Sequence, residues 1–327
     1  MSGTSTPRGR AFWGVLVTVV VLSACGGQPG PAPTGSTPEP APPSTTTSIP
    51  STATSTATPA PTSTASSVEP TPPTTSPAPT TTTRPSSYAN LPIYFIGRSS
   101  GSWSLFREFR TVPAIDGRIS SAVSAMTRLR PLDPDYTNPW RPASRVWVTQ
   151  RGSTLAVDLS ADAFANPNVG SELASRAVQQ LIYTATAAAF VAGHSATSVV
   201  ITVDGQPADV WGVIRVGTPM TRAAKVDVQA QAWVTSPQEG DVVRAGAVTF
   251  TGYGTSFEAT FHWRVSRADA STVAEGTVMG GSMGEFGAFS WTVRLAPGTY
   301  VVRLATDDPS GGAGPGPAVD TKRFTVR

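Results

Sequence analysis

A serine, a pair of aspartates, two separated acids and a few aromatics have types and spacings that chemistry could use. Gly280-Gly281-Ser282-Met283-Gly284 fits G-x-S-x-G, the pattern that sets a nucleophilic serine on a strand-to-helix elbow. That chemistry needs a histidine base later in the chain, and both histidines, His194 and His262, precede Ser282. Strand patterns surround the segment and no helix pattern follows it, so it reads as a flexible loop. Asp307-Asp308-Pro309-Ser310-Gly311-Gly312 offers oxygen ligands, with Asp320 as an extra one, but calcium takes roughly six to eight oxygens from a defined loop. The segment lacks that spacing and reads as an exposed loop, so no metal site is assigned. Asp158 and Asp204 are acids without an evident third partner, which suits turn and edge roles better than acid–base work. His262, on a polar strand face near Glu258, reads as a solvated side chain. Trp103 and Trp140 flank irregular segments and are the candidate binding residues, as a sugar-stacking platform. No cofactor is expected.

The chain that must position these residues has 327 of them, a net charge of +3, 31 prolines and one cysteine. A single cysteine excludes a disulfide framework and a cysteine-based zinc site. Acidic and basic residues nearly balance after Tyr88, with no basic run, which leaves no electrostatic footprint for nucleic acid. Residues 26–87 have no aromatic side chain and hold about half of the prolines among Thr, Ser and Ala. Such a composition cannot bury enough apolar surface to offset chain entropy, so a disordered linker is expected there. As a flexible coil it spans roughly 45 Å, and fully extended about 190 Å. Mucin-like O-glycosylation and an unmodified spacer both suit its Thr/Ser runs.

Before the linker, Arg8 and Arg10 precede the apolar run Ala11–Leu22, which is followed by Ser23-Ala24-Cys25. That run is shorter than the roughly 20 residues a membrane-spanning helix needs, and with its basic flank it reads as a secretory signal. Leu22-Ser23-Ala24-Cys25 resembles the lipobox of bacterial lipoproteins. The resemblance implies a signal peptide and lipobox over 1–25, cleavage before Cys25, and lipidation of its thiol. The expected partner is then the membrane, and the expected location is the outer face of the cell membrane.

Residues 88–224 read as a small α+β domain. Leu91–Ile96 and Leu105–Val112, with Phe106 and Phe109, are strand patterns. Asp116 is placed to cap a helix carrying Ile119, Val123, Met126 and Leu129, and a proline-rich loop follows over Pro131–Pro142. Arg145–Gln150 and Thr154–Leu159 read as a hairpin with Leu155, Val157 and Leu159 on one face and Asp158 on the other. Ser171 is placed to cap a long helix, Glu172–Phe190, with its stripe Ala174, Val178, Leu181 and Ala185. Ser198–Val203 closes the domain as a strand ending in Asp204-Gly205. The order implies one layer of helices on one sheet face. Tyr94-Phe95, Val157-Asp158-Leu159-Ser160, Leu181-Ile182-Tyr183-Thr184 and Val199–Gly205 together resemble the GerMN domain of bacterial spore-germination and envelope lipoproteins. Arg130-Pro131 replaces that family's usual Gly-Pro after the first helix.

Residues 225–327 become short strands with Gly and Pro turns. Phe257, Ala259, Phe261, Trp263 and Val265 alternate with polar residues, as do Phe289, Trp291, Val293 and Leu295. Strands at Val301–Thr306 and Arg323–Val326 bring the count near seven, the pattern of an immunoglobulin-like sandwich, with Tyr300 at a tyrosine corner. Val234-Thr235-Ser236-Pro237, Gly252, Phe257-Glu258-Ala259, Pro297-Gly298-Thr299-Tyr300 and Asp320-Thr321-Lys322 resemble the immunoglobulin-like module that accompanies GerMN domains. The expectation for the whole is a non-enzymatic, lipid-anchored envelope protein that binds or scaffolds partners, in a family linked to spore germination, sporulation or envelope assembly. The alternative is a cell-wall glycan-binding module or an accessory protein of a peptidoglycan enzyme.

Overall fold

The computed structural model describes residues 85–308 and 310–327; the signal, Cys25 and nearly all of the linker lie outside the described residues. The first domain opens with a long antiparallel hairpin, β1 (Ser87–Ser99) and β2 (Ser102–Pro113), followed by α1 (Arg118–Arg128) and the short β3 (Tyr136–Thr137). The predicted hairpin follows as β4 (Val146–Arg151) and β5 (Thr154–Leu159), then α2 (Ser171–Val191) and β6 (Ser198–Val203). Short strands β7 (Asp209–Val210), β8 (Ile214–Arg215) and β9 (Pro219–Thr221) and the one-turn helix α3 (Lys225–Val228) lead out of it.

The α+β class is as the sequence indicates, but the strands divide between two main sheets, β2-β1-β3 and β4-β5-β6-β9, with β7 and β8 as a separate pair. Both long helices pack on β1 and β2; α1 also touches β4 and α2 also touches β6. Leu155, Val157 and Leu159 are buried, as are Ala174, Val178, Leu181 and Ala185 on α2. β1 is buried without interruption from Leu91 to Gly97, so both of its faces are covered. On one face the Tyr94 ring meets Tyr183 of α2 at 5.3 Å. On the other, Phe95 pairs across to Phe106, which stacks on Tyr136 at 4.3 Å and meets Trp233 edge-on. Phe106 and Phe109 are three residues apart, so they take opposite faces of β2 and do not alternate on one face.

Neither predicted cap side chain begins its helix. The N-cap positions are Gly117 and Gly170, without a side-chain hydrogen bond. At α1 the work passes to Ser121, whose hydroxyl accepts from the Ile115 amide and donates to the Gly117 carbonyl, both at 2.7 Å.

The second domain is a sandwich. One sheet is built on β12 (Gly246–Ser256), which pairs with β10 (Ala232–Ser236), β15 (Gly281–Ser282) and β16 (Gly287–Leu295). The other runs β11 (Val242–Val243), β18 (Val319–Val326), β17 (Gly298–Thr306), β13 (Thr260–Arg267), β14 (Thr272–Met279). The alternation over β16 is kept, with Phe289, Trp291, Val293 and Leu295 buried. β13 starts later than the sequence pattern suggests: Phe257-Glu258-Ala259 forms the turn before it, Ala259 has φ 60°, and Phe257 is exposed. The Tyr300 hydroxyl donates to the Ala296 carbonyl at 2.9 Å, which makes the tyrosine corner.

Candidate functional site

The two acids read as separate are brought together. β5 and β6 are parallel neighbours, so Asp158 near the end of one and Asp204 just past the end of the other reach the same edge. Arg145, leading into β4, spans them: its Nη1 donates to Asp158 at 2.5 Å and its Nη2 to Asp204 at 2.7 Å. Asp158 also accepts from the Thr202 hydroxyl and the Gly205 amide, each at 2.7 Å. Burial pushes the Asp158 carboxyl up, yet these donors outweigh it and hold it below the ordinary range. Next to them Asp162 accepts from Ser144 and Ser160, which pulls its carboxyl down to about 2. Asp158 and Asp162 are held ionised by their donors, and Asp204 accepts from Arg145 and the Ala161 amide, the arrangement of a structural clasp and not of an acid–base pair. The clasp ties together two of the four segments, Val157–Ser160 and Val199–Gly205, through which the sequence resembles the GerMN domain.

The candidate tryptophans do not form a platform. Trp140 is only 4% exposed, donates its Nε1 to Gln180 at 3.1 Å, and packs between Phe164 and Trp211. Trp103 is half-buried, with the Arg98 guanidinium 4.1 Å over its ring. The loop holding Trp140 folds inward because its indole and Asn138 meet polar partners on α2 and at the end of α1. The exposed indole is Trp147, 62% exposed and directly across β4–β5 from Asp158.

His262 is not simply solvated: its Nε2 lies 2.5 Å from Asp307 Oδ1. Asp308 folds on itself, accepting from Ser310 and the Gly312 amide. Ser282 belongs to β15, paired in parallel with β12 at Ser256, and not to a loose loop. Among the described residues no group of His, Cys, Asp and Glu could hold a metal ion.

Asp320, considered above as a calcium ligand, instead faces a buried cation. Lys322, 3% exposed, donates to Asp320 at 2.7 Å, to Asp133 at 2.5 Å and to the Tyr136 hydroxyl at 2.6 Å. Tyr136 in turn donates to Asp320 at 2.7 Å, and the Val234 amide closes the other carboxylate oxygen at 2.8 Å. Asp133 and Tyr136 come from the first domain; Asp320, Lys322 and Val234 come from the second. Burial alone would push the Lys322 ammonium down, but Asp320 and Asp133 hold it above its ordinary value. Burial pushes the Asp320 carboxyl up, against the pull of Lys322, the Tyr136 hydroxyl and the Val234 amide.

Two more contacts follow the same seam. The Gln238 side chain accepts from the Phe109 amide at 2.6 Å and donates to the Phe109 carbonyl at 3.0 Å, standing in for a strand on the β2 edge. Trp233 is buried in the core of the first domain, not in that of the sandwich. Asp133, Tyr136, Gln238 and Trp233 were not singled out from the sequence, and Lys322 was quoted only within the family-like run Asp320-Thr321-Lys322. Their one visible signal is a lysine and an aspartate on the inward, alternating face of β18.

Residues 92–209 match the model of a family described as sporulation and spore germination, named Germane. Residues 231–313 match Gmad2, the immunoglobulin-like domain of bacterial spore germination. Comparison with curated proteins gives no match. Among solved structures, CopC from Methylosinus trichosporium OB3b is 22% identical over 29% of this chain and 92% of its own, with a TM-score of 0.22. The CARDB domain of the PF1109 protein from Pyrococcus furiosus is 15% identical over 30% of this chain and 86% of its own, with a TM-score of 0.21. Likenesses this slight carry no argument. The described part of the chain thus carries, in order, a region matching Germane and a region matching Gmad2, both families of sporulation and spore germination.

Proposed function

We propose that this protein is a non-enzymatic, lipid-anchored envelope protein that binds or scaffolds partners outside the membrane. The observation that carries the reading is the buried Lys322–Asp133–Asp320–Tyr136 junction. It fixes the two domains against each other, so that they offer a partner one rigid surface and not two hinged ones. Domains of one chain ordinarily move relative to each other; here they are joined by ion pairs whose side chains are buried. The anchor rests on the sequence, where the chain's one cysteine follows a short apolar run and two small residues.

The test is the intact mass of native protein recovered from membranes, compared with Cys25→Ser. A lipid-sized increment lost in the variant, with the variant released from the membrane, is the expected result. An unlipidated mature chain in the medium would remove the anchor. Release of soluble fragments from purified cell wall by the protein would replace scaffolding with catalysis.

A further inference from the structure

Between the last turns of α2 and the hairpin β1–β2 lies an open groove of about 700 Å³. Its apolar walls are Pro92, Tyr94, Phe109 and Phe190, and Phe190 is 82% exposed, an unusual position for a phenylalanine at the end of a buried helix. Two guanidiniums, Arg107 and Arg222, and the imidazole of His194 also line it, and no carboxylate contributes. Arg222 is held by the Thr186 hydroxyl at 2.7 Å and lies over the Tyr183 ring. Arg107 rests on Phe109 with its buried Nε unpartnered, and among the described residues neither arginine has a carboxylate within ion-pair distance. Arg107 also borders a second hollow against β12 and β16 of the sandwich, so the path continues across the domain junction.

We infer that this groove is the docking site for an acidic peptide segment of a partner protein, one whose apolar side chain sits against Phe190 while its carboxylates pair with Arg107 and Arg222. Charge complementarity selects an anion, since two guanidiniums without a carboxylate partner line the same groove. Concavity selects a chain segment, because a flat bilayer cannot reach the floor of a groove. The apolar lining distinguishes the ligand from a bare phosphate, which would leave Phe190 uncovered. The inference rests on the binding reading above and names the chemistry of the partner.

The experiment is fluorescence anisotropy of a labelled, alternating glutamate–leucine peptide with the full chain. An alternating lysine–leucine peptide, inorganic phosphate and phosphatidylglycerol vesicles serve as comparisons. Saturable binding of the acidic peptide alone is expected, weakened by salt, with a loss of about tenfold for Arg222→Glu. Phe190→Ala, which removes an exposed ring and spares the fold, is expected to weaken binding as well. Equal binding of the lysine peptide, binding to vesicles or phosphate alone, or unchanged affinity in Phe190→Ala would overturn the assignment. A partner cross-linked in cells through another surface, with no peptide bound here, would overturn the groove and leave the scaffold reading standing.

Discussion

Asp162 shows how a fully exposed carboxylate can still be strongly perturbed. The Ser144 hydroxyl and amide and the Ser160 hydroxyl all donate to it, and these bonds favour the ionised form. Its pKa in the folded protein is about 2, below the value of about 3.9 expected in an unfolded chain. The stabilisation from this depressed group is therefore complete above the unfolded pKa and is lost as pH falls towards 2. Glu108 and Asp320 work with the opposite sign, since burial raises both, and each favours the folded state more as pH falls. Ser144→Ala is expected to move the Asp162 titration upward towards the ordinary aspartate value, while Arg151→Ala leaves it in place. Carboxyl carbon shifts followed by NMR against pH measure both.

Among the elements, β15 is the shortest strand that settles a question of chemistry. Its glycine is required by backbone approach: at Gly281 the atoms a Cβ would strike include carbonyl oxygens of Glu285 and Gly254, which cannot swing aside as a side chain would. Gly281→Ala is expected to lower stability by about 1–3 kcal/mol, the range for overpacking a filled site, read as a fall in the denaturant midpoint. Ser282→Ala is expected to leave it nearly unchanged. That G-x-S-x-G was no nucleophile elbow could be read from the order of its histidines, but its pairing with β12 could not. Periodicity carried much else: the buried stripe of α2, the β4–β5 hairpin and the alternation of β16 all have local signals. What stayed hidden depends on residues far apart in the chain. Lys322 and Asp133 are separated by 189 positions, and Arg145 and Asp204 by 59. The caps failed for a different reason, because Ser and Asp near a helix start signal a cap without fixing which residue makes it. Trp140 in a proline-rich loop looks exposed until Gln180 on α2 provides its partner.

For the molecule as a whole, the decisive feature is that the junction between the domains is built of charges and not of apolar side chains alone. A buried ion pair adds little over a well-packed apolar replacement, whereas removing one partner leaves an uncompensated charge and costs about 3–5 kcal/mol. Lys322→Met leaves Asp133 and Asp320 buried without their cation, so it is expected to destabilise the protein by that amount. Because the lost contacts join two domains with separate cores, the variant's calorimetric unfolding is expected to divide into two transitions where the parent protein shows one. Replacing the acids as well, in Lys322→Met with Asp133→Leu and Asp320→Leu, removes the uncompensated charge and is expected to recover most of the midpoint. A triple variant no more stable than Lys322→Met would mean that the junction depends on the hydrogen bonds of Tyr136 and Val234 to Asp320 more than on charge balance. A single, unshifted transition in Lys322→Met would mean that Trp233 in the first domain's core and Gln238 on the β2 edge hold the domains together without it.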